Sequence, residues 1–182
     1  FSGMGRLTEN VVLNLKNKSW SVTAEVLLPE SNAQGVIIAQ GGAFGGWSFY
    51  TLDGRLKFCY NLFGLQRFKT EAGAPLPAGK HQLRMEFAYA GGGLAKGGAV
   101  TLYVDGQKIG EGQLPATQPM MFSGDETCDV GSDTGSSVSD DYTAETSKFN
   151  GVINWVQLDQ GADDHDHLIT PEERLAVAMA RQ

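Results

Sequence analysis

The stretch that decides the fold reads Trp47-Ser48-Phe49-Tyr50-Thr51-Leu52-Asp53-Gly54-Arg55-Leu56-Lys57-Phe58-Cys59-Tyr60-Asn61. Asp53-Gly54 suits a two-residue type I′ turn, because both central positions of that turn need positive φ. Pairing outward from it sets Thr51 against Leu56, Phe49 against Phe58, and Trp47 against Tyr60. One face of the hairpin is then an aromatic stripe, and Ser48, Lys57, Cys59 and Asn61 share the other. The same device recurs over residues 100–114, where Asp105-Gly106 is the turn, Leu102 opposes Ile109, and Val100 and Val104 lie on the same face. Upstream, Trp20, Val22, Ala24, Val26 and Leu28 alternate with mostly polar neighbours. Between the hairpins, His81, Leu83, Met85, Phe87 and Tyr89 alternate with Gln82, Arg84, Glu86 and Ala88, and residues 149–159 form a last strand. Glycine clusters at 41–42, 45–46, 91–93 and 97–98 read as loops between strands. Short strands, frequent turns and no helical period before residue 170 predict an all-β sandwich or barrel.

The chain is 182 residues long, 41% hydrophobic and 19% charged, enough for one packed domain and too apolar for disorder. No apolar run reaches the ~20 residues of a membrane span, and no signal-peptide pattern opens the chain. A sequence beginning at Phe1 is expected to be part of a longer parent. The net charge of -7 argues against nucleic acid and anionic membranes as partners. That charge is uneven: residues 1–124 hold eleven Lys/Arg against eight Asp/Glu, and residues 125–182 hold three against thirteen. The sandwich is expected over residues 1–160, followed by an acidic linker and a C-terminal helix within 161–182. Thr170-Pro171-Glu172-Glu173 supplies a capping box with Pro at the first helical position, and good helix formers follow it.

Catalytic constellations are absent from the sequence. A retaining glycosidase needs two carboxylates ~5–5.5 Å apart, and no strand offers them in phase; Glu25 and Glu86 read as lone surface acids. There is no G-x-S-x-G, and the glycine clusters lead into no helix that could cradle phosphate. Cys59 has no adjacent base. His81, in phase with Leu83 and Met85, reads as a hydrogen-bonded core histidine. Cys128 is expected to be more exposed, with acidic neighbours raising its thiol pKa. Both thiols are expected to be inert. The best site candidate is the acidic stretch 125–141, where Asp125, Asp129, Asp133, Asp140 and Asp141 offer oxygen ligands of the kind calcium takes. The spacing matches no EF-hand, so a solvated acidic loop is the competing reading. His165 and His167 could bind a transition metal only adventitiously.

Three segments carry a family resemblance. Lys80-His81-Gln82-Leu83-Arg84-Met85-Glu86-Phe87, Val100-Thr101-Leu102-Tyr103-Val104-Asp105-Gly106 and Phe149-Asn150-Gly151-Val152-Ile153 resemble the concanavalin-like/laminin G-like sandwich. The closer resemblance is to the C-terminal region of bacterial arylsulfatases. It rests on residues 41–50, 59–68, 85–89, 129–135 and 138–142, and extends through the tail from Asp166. It implies a concanavalin A-like jelly roll with a short C-terminal α-helix. No Cys or Ser stands two residues before any of the six prolines, so the C/S-x-P-x-R motif that yields formylglycine is missing. The resemblance therefore implies a non-catalytic accessory domain that packs on a sulfatase catalytic domain, its partner, or shapes substrate access. The rival is a free-standing carbohydrate-binding, lectin-like module that takes glycan, with or without calcium. Its candidate aromatics are Trp47, Tyr50, Tyr60 and Tyr103, with Tyr50 and Tyr103 expected to be the exposed pair. An independent enzyme ranks last. The compartment is open, with a bacterial periplasmic or secreted setting ahead of a cytoplasmic one.

Overall fold

The structure is a computed structural model that describes residues 5, 7–8, 12–30, 32–122 and 127–161. Asp125, Glu126 and the predicted C-terminal helix lie outside the described residues. Among the described residues eleven strands run in order: β1 (Leu7–Thr8), β2 (Trp20–Leu28), β3 (Gly35–Gly42), β4 (Gly45–Leu52), β5 (Arg55–Leu62), β6 (Gln66–Glu71), β7 (Gly79–Tyr89), β8 (Lys96–Val104), β9 (Gln107–Ala116), β10 (Thr127–Val130) and β11 (Val152–Gln160). They form two antiparallel sheets, of order β1-β10-β3-β4-β5-β6 (sheet A) and β11-β2-β7-β8-β9 (sheet B).

The deciding hairpin forms with the expected register: Thr51 faces Leu56, Phe49 faces Phe58 and Trp47 faces Tyr60. Asp53 and Gly54 both take positive φ, 51° and 74°, as the turn requires. The aromatic stripe of sheet A meets Trp20 and Phe87 of sheet B. Trp20 lies 4.7 Å from Trp47 and 6.0 Å from Phe58 between ring centroids. Leu83, Met85, Val100 and Leu102 complete this fully buried layer. The Trp47 indole would be an orphan donor there, but its Nε1–H donates to Gln40 Oε1 at 3.0 Å.

Two expectations are corrected. Gly41-Gly42, Gly45-Gly46 and Gly97-Gly98 are ladder residues of β3, β4 and β8, not loops. The chain approaches too closely there for a side chain: a Cβ on Gly98 would stand 2.1 Å from the Ala88 carbonyl oxygen. In the second hairpin Leu102 faces Gly110 and not Ile109, because a bulge intervenes between Leu102 and Tyr103. The slip places Gly110 where its absent Cβ would meet the Glu71 carbonyl oxygen at 2.7 Å. Gly73 N–H donates to the Ile109 carbonyl at 2.9 Å. Sheet edges β6 and β9 therefore close against each other along one flank.

A second apolar cluster, Val36, Ala39, Tyr50, Cys59 and Val138, lies apart from the main core on the other face of sheet A. Residues 131–148 cover that face like a strap, bridged to β3 at Val36–Lys148.

Candidate functional site

The acidic strap is tied to the sheet by its carboxylates. Asp141 Oδ2 accepts from the Tyr50 hydroxyl at 2.6 Å and from Lys57 Nζ at 3.3 Å. Lys69 Nζ reaches Asp140 at 2.6 Å and Asp141 at 2.5 Å. Burial pushes the Asp141 carboxyl upward, but Lys69, Tyr50 and Lys57 outweigh it and hold it below the usual range. Asp133, 2% exposed, accepts from the Val138 N–H and the Tyr142 hydroxyl. Asp129 accepts from both the N–H and the hydroxyl of Thr134. Lys69 bridges Asp140 and Asp141 where calcium would need to sit, Lys57 flanks Asp141, and a cation there would meet their repulsion. Among the described residues no three His, Cys, Asp or Glu side chains converge as a metal site.

The aromatic expectations divide. Trp47, Tyr50 and Tyr60 are at most 3% exposed, so none of them can offer a ring to a ligand. Tyr50 fails as an exposed residue because the strap covers it: Tyr142 packs edge-on at 5.3 Å. Cys128 is also buried, against expectation, and burial first and Asp129 second push its thiol up to about 12. Cys59, buried beneath the strap, rises to about 11.

Tyr103 alone of the four reaches a half-open surface, the outer face of sheet B. Register builds that face row by row. Gln157, Thr23, Arg84, Tyr103 and Lys108 form one row; Asp159, Ser21, Glu86, Thr101 and Glu111 form the next. Arg84 Nε–H donates to Glu86 Oε1 at 2.8 Å, and its Nη1 donates to the Thr23 hydroxyl at 2.6 Å. Asp159 Oδ2 stands 3.9 Å from the same Nη1. The Tyr103 hydroxyl donates to Glu86 Oε2 at 3.1 Å. Glu86 is therefore part of a polar network, and Glu25 accepts from Lys80 at 3.0 Å and Asn154 at 2.9 Å; neither is a lone acid.

Beyond Arg84 the outward side chains shrink to Ser19, Ser21, Ala88 and Gly161. This leaves a depression of about 370 Å³ walled by Arg84, Glu86 and Asp159. The group was not legible as one site because β2, β7 and β11, which supply Ser21, the Arg84–Glu86 pair and Asp159, lie 60 and more residues apart. The alternation that assigned them to an outer face was the only signal. Chemically, the site presents guanidinium donors beside carboxylate acceptors at a solvent-open wall, the pattern that hydroxyl-rich ligands satisfy.

Neither a protein-family model nor a curated protein matches the sequence. Solved structures do match the fold. The chain is similar to the mouse laminin alpha1 chain, domains LG4-5, with a TM-score of 0.57 and 17% identity over 87% of this chain and 40% of that one. It is also similar to the Ruminococcus gnavus IT-sialidase CBM40 bound to alpha2,6 sialyllactose, with a TM-score of 0.52 and 15% identity over 91% and 92%. Identity this low speaks for the fold alone. The chain has a concanavalin-like, laminin G-like jelly-roll β-sandwich fold.

Proposed function

We propose that the chain is a non-catalytic carbohydrate-binding module and that glycan occupies the outer face of sheet B. The observation that carries this reading is the Arg84–Glu86–Asp159 wall beside the depression. Sugar hydroxyls both donate and accept, and an arginine clamped between two carboxylates offers both partners within one ring's width. Tyr103, on the same row as Arg84, adds an apolar ring surface next to these polar groups. The fold supports the reading too, since the Ruminococcus gnavus module was solved with alpha2,6 sialyllactose.

The charge at the wall selects the ligand class. Arg84 faces two carboxylates, so the local balance is negative. A sialylated or sulfated sugar would bring a third anion to a site with one cation, whereas a neutral oligosaccharide brings none. A glycan array with the purified chain tests this directly. Neutral glycans should be retained above sialylated and sulfated ones, and Arg84→Met should weaken retention at least ~10-fold, about 1.4 kcal/mol. Retention unchanged in Arg84→Met, or confined to sialylated glycans, contradicts the reading. The accessory role beside an arylsulfatase catalytic domain rests on the sequence resemblance alone.

A further inference from the structure

One pole of the sandwich gathers an unusual share of its exposed apolar side chains. Phe44 lies in the β3–β4 turn, Phe63 and Leu65 in the β5–β6 turn, Leu94 in the β7–β8 loop, and Met120 and Met121 after β9. Their exposures run from 51% to 84%. Contacts join these loops at one end of the molecule. A Cβ on Gly64 would stand 2.7 Å from the Ala43 carbonyl oxygen, and one on Gly45 would stand 2.2 Å from Gln118 Oε1. Asn17 ties the rest together: its side chain donates to the Pro119 carbonyl and accepts from the Ala95 N–H. Scattered surface apolar residues need no explanation, but six gathered on adjoining loops of one pole mark an interaction surface. The described loops of this pole, residues 12–19, 42–45, 62–66, 90–95 and 117–122, contain no carboxylate, and their two lysines, Lys16 and Lys18, are buried.

The chain's exit supplies the occupant. Gly161 N–H donates to the Ser19 carbonyl at 2.7 Å, so β11 delivers the chain to this same pole. The 21 residues that follow include Leu168, Ile169, Leu175, Val177 and Met179, with Asp163, Asp164, Asp166, Glu172 and Glu173 among them. Their apolar positions match a patch in need of cover, and their acids meet no like charge in the described loops of the pole. Reach is sufficient: seven residues from Gly161 to Leu168 extend up to about 24 Å. That is roughly the width of six strands at ~4.8 Å spacing. A helix of about ten residues is marginal unless it buries a face, so the segment gains order by docking.

We propose that this apolar pole is the docking surface of the chain's own C-terminal segment, residues 168–180. Hydrogen exchange on the full chain, with and without the double substitution Leu65→Glu/Met120→Glu, tests it. Both positions are 84% exposed, so the variant keeps its fold, which an unchanged melting temperature of the sandwich confirms. In the wild-type chain, amides 168–180 should exchange at least ~10-fold more slowly than in the free peptide, and the double variant should release them. Tail amides that exchange freely in the wild-type chain overturn the proposal. So does protection that survives the double variant, which would place the segment elsewhere. A concentration-dependent doubling of the 19.5 kDa mass that the variant abolishes, with the tail exchanging freely, would give the pole to a second copy and equally overturn it.

Discussion

His81 shows how a residue can sit in phase with the core and still do surface work. Its strand position pairs with Val26, yet the ring lies near the start of β7, where Nδ1 meets Asp105 Oδ2 at 2.6 Å. The Asp105 hydrogen bond outweighs partial burial and raises the imidazole above its usual 6.5. Asp105 in turn is lowered, first by the Gln82 N–H and then by His81. The signs set a window. The raised histidine stabilises the fold fully below pH ~6.5 and loses that contribution as pH rises through its folded value. The lowered aspartate stabilises above its ordinary 3.8 and loses that contribution as pH falls through its folded value. NMR titration should find His81 above 6.5 in the wild-type chain and moved back toward it in Asp105→Asn. A wild-type value at or below 6.5 contradicts the pairing. Asp141 makes a second residue-scale case, because it anchors the strap to Lys57, Lys69 and Tyr50 together. Asp141→Ala should cost roughly 1.5–3 kcal/mol in denaturant unfolding, the range for charged hydrogen bonds that lose their partner. A loss below ~0.5 kcal/mol would mean that Asp141 is not what holds the strap to the sheet.

At the scale of elements, what was legible in the sequence was whatever local chemistry determines. Asp53-Gly54 specified a turn, the turn specified a register, and the register specified which aromatics share a face; all three hold. Asp105-Gly106 gave its turn but not its register, because the bulge answers to β6 across the molecule and not to the turn. Trp47 and Tyr60 were legible as one face, but whether that face is core or platform depends on Trp20 and Phe87, which arrive from another sheet. Tyr50 needed knowledge of a strap some 90 residues away. The glycines of β3, β4 and β8 were misread for the same reason, since their requirement comes from neighbouring backbone and not from turn formation. Gly110 makes the point testable. A side chain there must push against the Glu71 backbone, so Gly110→Val should destabilise by about 1–3 kcal/mol. An unaffected urea midpoint would show that the β6 and β9 edges are not in firm contact.

Across the whole molecule, the charge asymmetry of the sequence resolves into two uses. Asp140 and Asp141 fasten the strap to lysines of β5 and β6, and buried Asp133 ties it to the Val138 N–H and the Tyr142 hydroxyl, which is why the outer face of sheet A is closed. The outer face of sheet B stays open, and Asp159 contributes there to a polar wall with Glu86 and Arg84. The account thus rests on one sheet face being sealed and the other available to glycan. Amide chemical-shift mapping with a neutral oligosaccharide retained on the array tests that division most directly. The account predicts perturbations concentrated at Ser21, Thr23, Arg84, Glu86, Tyr103 and Asp159, with Ser48, Lys57 and Lys69 unmoved. Saturable shifts on the strap and sheet A instead, or none on sheet B, would contradict it.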